Sequence, residues 1–269
     1  MNLFSLLSDF VFCSINSGSN GNCYFIGAGD CGILVDVGIS VRTIKSRLKA
    51  IGYDLQCVKA VLLTHSHIDH VKGVPQLIKY CKVPVYASES CFSMLKECNM
   101  TMDSDLCKVV TPVINIDCFR IEPFYTEHDA PGSLGFFVSN GDKSIVIATD
   151  VGTLTPAVKS FLKKADNVVI ETNYDKEMLL NGKYPDMLKS RIMGGHGHLG
   201  NEETCAFIIE NYKRRWDNVF FCHLSENNNS PDKVMSCFHH CLNEKNIHDF
   251  GNTVVHLLSR YEASPLFYL

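Results

Sequence analysis

Residues 64–70 read Thr64-His65-Ser66-His67-Ile68-Asp69-His70, three imidazoles and a carboxylate within six positions. A lone histidine is most simply a core or surface residue. Four ligand-competent side chains this close together point to a metal loop, because neutral imidazole and carboxylate are natural donors for a first-row dication. The run follows Val58-Lys59-Ala60-Val61-Leu62-Leu63, an apolar β-type stretch, and precedes residues 71–78, which have helical character. The cluster therefore belongs in a strand-to-helix loop at the end of a sheet, where side chains from separate strands converge. One loop cannot close the coordination of two metals alone, so a fold built on it must bring further ligands from later strands.

Strand and helix signals alternate along the chain with no linker, low-complexity run or repeat to divide it, so the expectation is one domain over residues 1–269. Residues 11–14 and 23–26 flank Ser17-Gly18-Ser19-Asn20-Gly21-Asn22, a hairpin signature. Ile33-Leu34-Val35 is a strand ending at Asp36, and Ser40 caps a helix carrying Val41, Ile44, Leu48 and Ile51 on one face, with Gly52 ending it. After the histidine loop the pattern predicts a helix to about Tyr80, a strand over 83–87 and a helix capped by Ser88. The middle is β-rich, with strands over 119–126, 134–139 and 144–149 and a turn at Asn140-Gly141. Thr155-Pro156 opens a helix to Lys164, and 167–171 is a buried strand. Asn201 caps a helix with Cys205, Ile208, Ile209 and Tyr212 on one face, and 219–222 is a strand. Ser230-Pro231 starts a helix, and 253–258 closes the chain as a strand. Two β-rich halves with covering helices predict an α+β protein, a four-layer αββα sandwich. The alternative, a doubly wound parallel sheet, is disfavoured by the Asn-Gly hairpin.

A net charge of −4 excludes a strongly basic nucleic-acid coat protein, though not a nuclease, whose local field matters more than the sum. Thirteen cysteines, an odd number without CxxC spacing, argue against a disulfide scaffold and against structural zinc. Reduced thiols imply a cytoplasmic setting. The stretch from Met1 to Phe12 is apolar but short, carries Asp9 and lacks a basic start, so it is a poor secretory signal. No run approaches the roughly 18 apolar residues of a membrane span. The expectation is a soluble, cytoplasmic protein with no membrane partner.

Further ligand candidates stand at strand ends: His128 after Phe124-Tyr125-Thr126, Asp150 after Ile145-Val146-Ile147-Ala148-Thr149, His223 after Val219-Phe220-Phe221-Cys222, and Asp36. Singly each is a turn residue; together with the seed loop they form a set. This ordered set resembles the metallo-β-lactamase superfamily over nearly the whole chain. The resemblance implies that His65, His67 and His128 hold one metal and that Asp69, His70 and His223 hold another, with Asp150 bridging. Asp36 would orient the loop by hydrogen bonding. It implies two divalent ions, Zn or Mn with Fe also suitable, and hydrolysis by a water activated between ions about 3.5–4 Å apart. Asp69 would be catalytic as well as a ligand, holding the water proton.

The branch is narrowed by departures. Asp150 stands where zinc lactamases usually have Cys, the loop histidines that flavodiiron proteins alter are intact, and the stretch from Asp150 to His223 is too short for the inserted cap domain of larger nucleases. Thioester hydrolases of the glyoxalase II type remain the competitor. Two segments favour phosphate. Residues 194–203 place His198 and backbone N–H groups at a helix N-terminus, with His198 the candidate leaving-group acid or phosphate contact and His196 a loop residue. The segment after His223 adds amide donors, so Asn201, Ser225, Asn227 and Asn228 are candidate substrate contacts. Lys183, Lys189 and Arg191 precede the turn, and Lys213, Arg214 and Arg215 follow its helix, supplying cations that a phosphodiester backbone needs.

At Ser17 to Cys23, Thr126-Glu127-His128-Asp129-Ala130, Ile170 to Asp175, Gly197 to Asn201 and His223 to Asn228 the chain resembles the YycJ/WalJ branch, related in fold to ribonuclease Z. That resemblance implies a nuclease with DNA as substrate, a 5′-to-3′ exonuclease on double strands of the kind used in DNA repair. The branch usually has Glu, Ser, His and Ser where this chain has Ser66, Ile68, Tyr174 and Gly200, none of them an expected ligand. The alternatives are a small-molecule thioester hydrolase and a non-catalytic, metal-stabilised binding protein.

Overall fold

The computed structural model describes residues 9–100, 102–214 and 216–269. Most of the stretch read above as a poor secretory signal, and the Arg215 cation, lie outside the described residues. The first half of the chain supplies β1 (Phe10–Asn16), β2 (Cys23–Ala28), β3 (Cys31–Val35), β4 (Val58–Leu62), β5 (Val85–Ala87) and β6 (Cys107–Val109). The second supplies β7 (Ile114–Ile116), β8 (Phe119–Tyr125), β9 (Leu134–Ser139), β10 (Ser144–Ala148), β11 (Asn167–Glu171), β12 (Asn218–Cys222) and β13 (Val254–Leu257), and β14 (Phe267–Tyr268) returns to the first sheet. The sheet orders are β14-β1-β2-β3-β4-β5-β6 and β13-β12-β11-β10-β9-β8-β7. In each sheet three antiparallel pairings adjoin three parallel ones.

Strand periodicity builds three cores from two sheets. Successive side chains point to opposite faces, and in the central strands both faces are apolar. Along β1, Phe10 and Phe12 face the second sheet while Val11, Cys13 and Ile15 face helices. Along β10, Ile145 and Ile147 face the first sheet while Val146 and Ala148 face the outer layer. The helices over the first sheet are α1 (Val41–Ala50), α2 (Ile68–Val71), α3 (Val74–Cys81) and α4 (Glu89–Glu97). Those of the second half are α5 (Pro156–Lys164), α6 (Lys176–Asn181), α7 (Asp186–Met193), α8 (Asn201–Glu210) and α9 (Pro231–Glu244). The expected αββα sandwich is what forms. No helix among the described residues is long and apolar enough to cross a membrane.

Several local expectations are corrected. The helix read over 71–78 is two: α2 takes up part of the histidine loop itself, and α3 starts afresh because Pro75 lies in its first turn and Gly73 N–H is spent on Val37 O. Asn201 does not cap α8. Gly200 occupies the cap, its N–H bonded to Glu203 Oε2 at 2.9 Å, because the Asn201 amide is committed to a reciprocal pair with Asn229. The 253–258 strand is not the last, since β14 follows and pairs with β1. The short β6 and β7, and helices α6 and α7, had no counterpart in the reading.

Candidate metal centre

The parallel strands of both sheets release their chains at one edge of the sandwich, and every expected ligand is found there. Three of these exits, at Asp36, Asp150 and His223, carry left-handed backbone (φ 60°, 55° and 56°). This strained conformation turns the side chain back across the strand end, a distortion that functional sites commonly store. The histidine loop is pressed against the first sheet at Gly38: a Cβ there would lie 1.6 Å from Asp69 O, so only glycine allows the approach.

Four of the five expected ligand imidazoles spend one ring nitrogen on the protein behind them. His70 Nδ1 donates to Asp36 Oδ2 at 2.7 Å, while Asp36 also accepts from the Thr64 amide and hydroxyl at 2.8 Å each. His128 Nδ1 donates to Gly197 O at 3.0 Å, and His223 Nδ1 to Glu171 Oε1 at 2.7 Å. His65 Nδ1 lies 3.0 Å from Thr64 Oγ1. The opposite nitrogens converge. His65, His67 and His128 offer donor atoms within 4.8 Å of one another, as do Asp69, His70 and His223, and Asp150 joins His65 and His70 in a third such group. His65 Nε2, His128 Nε2, His223 Nε2 and Asp150 Oδ2 are buried with no hydrogen-bond partner among the described residues. Buried polar atoms are almost always satisfied, so four orphans aimed at one space fit a metal-binding site. The backing carboxylates and carbonyls are the usual supports of metal-bound histidine.

The charges agree. Burial holds His65 well below its ordinary pKa, with His70 adding to the effect, so this ring is a neutral donor. Burial opposes the charge on Asp150, but His223 and His70 outweigh it and keep the carboxylate ionised.

Two residues of the centre were missed by sequence reasoning. Glu171, fully buried at the end of β11, accepts from Val151 N and Leu199 N through Oε2 (2.9 and 3.2 Å) and from His198 Nδ1 and His223 Nδ1 through Oε1 (2.7 Å each). Burial alone would lower His198, but Glu171 and then Asp150 raise it to about 9. Asn22, at the end of the hairpin turn, donates its N–H to Asp69 O at 2.7 Å and lays its side-chain amide 2.9 Å from His70 Nε2. The only signal for either was its place in a quoted motif.

A cavity of about 260 Å³ opens over the cluster, with His67, Asp69, Asp150, His198 and His223 among its lining. One wall carries Tyr184, Leu188, Arg191 and Ile192; Ser19, Asn173 and Ser225 also line it. Of the four expected substrate contacts, Ser225 lines this cavity. Asn227 stands behind Tyr184, donating to its Oη at 3.2 Å; Asn228 is buried and donates to Ser225 Oγ at 3.3 Å; Asn201 is buried in its pair with Asn229. Arg191 is bound to Asp129, with Nε and Nη2 each 2.5 Å from Oδ2. His196 is an exposed loop residue 3.2 Å from Glu127.

Residues 32–216 match the profile of the "Beta-lactamase superfamily domain". The chain is 29% identical over 236 residues to the exodeoxyribonuclease YycJ of Bacillus anthracis, covering 87% of this chain and 89% of that one. It is 32% identical over 225 residues to the exodeoxyribonuclease WalJ of Streptococcus pneumoniae, covering 82% and 83%. Among solved structures it is similar to the metallo-beta-lactamase fold protein YhfI from Bacillus subtilis, with a TM-score of 0.68 at 17% identity, covering 96% of this chain and 99% of that one.

Proposed function

The chain belongs to the metallo-β-lactamase superfamily, and on that premise we propose that this metal-dependent hydrolase is a phosphodiesterase, an exodeoxyribonuclease working 5′ to 3′ on double-stranded DNA. The observation that carries the reading is the Glu171–His198 pair beside the convergent ligands: a buried carboxylate holding a proton on an imidazole that lines the cavity. Two relatives spanning over four-fifths of this chain are named exodeoxyribonucleases, which favours DNA over a thioester.

His65, His67 and His128 would hold one ion and Asp69, His70 and His223 a second, with Asp150 between them. Imidazole–carboxylate sets of this kind suit Zn or Mn, and Fe as well. Bound there, two dications would supply an activated water and neutralise phosphoryl charge. Asp69 lines the cavity and holds a proton of the attacking water. His198, kept protonated near neutral pH by Glu171, gives its proton to the departing oxygen. Asp36, Thr64 and Gly197 hold the ligand rings still through the bonds described above. Thirteen free thiols suit a reducing cytoplasm.

The test is a 5′-phosphorylated, end-labelled duplex incubated with Mn²⁺ or Zn²⁺. Wild type should release nucleotides from the 5′ end and Asp69→Asn should not. Turnover of S-lactoylglutathione without nucleotide release would instead make the protein a thioester hydrolase. Turnover of neither would leave a metal-stabilised binding protein.

A further inference from the structure

Two hydroxyls on the cavity wall have a lone pair occupied and a proton to give. Ser19 Oγ accepts from Arg260 Nη2 at 3.4 Å, and Ser225 Oγ accepts from Asn228 Nδ2 at 3.3 Å; neither has an acceptor among the described residues. A hydroxyl carries a single donor, and a pair of such donors facing a cavity matches the oxygens of an anion.

Behind them lies Arg260, its side chain 11% exposed and its Nε buried without a partner. Its Nη1 grips Leu224 O at 2.5 Å, between His223 and Ser225, while its Nη2 reaches the hairpin loop at Ser19. The hairpin returns the grip: Asn20 Nδ2 donates to Arg260 O at 3.0 Å, and a Cβ on Gly18 would come within 3.1 Å of Arg260 Cγ. Glu226 sits 3.4 Å from the guanidinium and is itself tied to Tyr261 Oη. Arg260 thus ties two loops from opposite sheets, its guanidinium 3.4 Å from Ser19 Oγ and bonded to the Leu224 carbonyl that precedes Ser225. Arg191, which lines the cavity, is engaged by Asp129.

We propose that Ser19 and Ser225, held at one spacing by Arg260, form a subsite for a second phosphate of the substrate, adjacent to the phosphodiester that is cut. The subsite selects oligonucleotides over single phosphodiesters. Arg260 acts as a positioning residue, and the inference rests on the nuclease reading above.

The experiment compares kcat/KM on a 5′-phosphorylated oligonucleotide with kcat/KM on bis(p-nitrophenyl) phosphate, which has one phosphate, for Mn²⁺-loaded wild type, Ser19→Ala, Ser225→Ala and Arg260→Lys. Metal content is measured alongside. The ratio should fall about tenfold in each variant, the size expected for losing a hydrogen bond to a charged group, and chiefly through KM for the oligonucleotide. Bound metal should match wild type. An unchanged ratio, equal losses on both substrates, or loss of metal would overturn the subsite. A wild type that cleaves the single diester but no oligonucleotide would overturn the nuclease reading itself.

Discussion

Glu171 shows how much can hang on one carboxylate. It serves four donors at once, two backbone amides and two imidazoles, and one of those imidazoles is an expected ligand while the other is the proposed acid. An amide cannot accept from all four. Glu171→Gln should therefore lower kcat by about a hundredfold or more, as loss of a general acid does. It should also weaken metal retention by about 10–100-fold in chelator competition, as loss of a ligand's outer partner does. A variant with normal turnover and metal would show that His198 works without it. A second residue-scale prediction concerns Tyr174 and Gly200, where the branch usually has His and Ser. The two are bridged, and a Cβ on Gly200 would lie 3.0 Å from the Tyr174 ring. Gly200→Ser should cost about 1–3 kcal/mol by overpacking, and Tyr174→His in the same chain should recover most of it in denaturant unfolding. That recovery would mark the two departures as one compensated change; no recovery would make them independent.

At the scale of elements, the ends of strands were legible and their neighbours were not. β8, β10 and β12 announce themselves by apolar runs, and the histidine or aspartate just beyond each is chemically conspicuous. Glu171 is the last residue of its strand rather than the first beyond it, and Asn22 reads as an ordinary turn amide; neither stands out by type or position. Helix α7 buries none of its residues, so no periodic apolar face marked it, although it forms a cavity wall. β6 and β7 are three residues each, too short for a period of two to register. β14 has only two residues, yet it completes the first sheet, and Ser264 N–H beside it bonds Ser14 O at 2.9 Å. Deleting residues 263–269 should lower the thermal midpoint by about 5 °C or more. An unchanged melting curve would make the strand ornamental.

Across the whole molecule, the centre is a joint. Asp36, His65 and His70 come from the exits of the first sheet, and His128, Asp150 and His223 from those of the second. The His223 amide donates to Ser17 Oγ in the opposite hairpin at 3.0 Å. Metal bound here ties the two halves, so saturating Mn²⁺ or Zn²⁺ should raise stability, by about 2.7 kcal/mol at a hundred times Kd. Chelation should lower the melting temperature to match. Imidazoles must lose their protons to ligate, so acidifying from pH 7.5 to about 5 should release metal, read by metal analysis after dialysis.

Closing the first sheet with β14 also has a cost in time. Cys13 and Ser264 touch across 251 positions of chain. At a ribosomal rate of about 5–20 residues per second, β1 waits roughly 12–50 s for its last partner. Arg260, which couples the two serine-bearing loops, arrives in the same late stretch. During that interval β1 offers an unpaired edge to any neighbouring polypeptide.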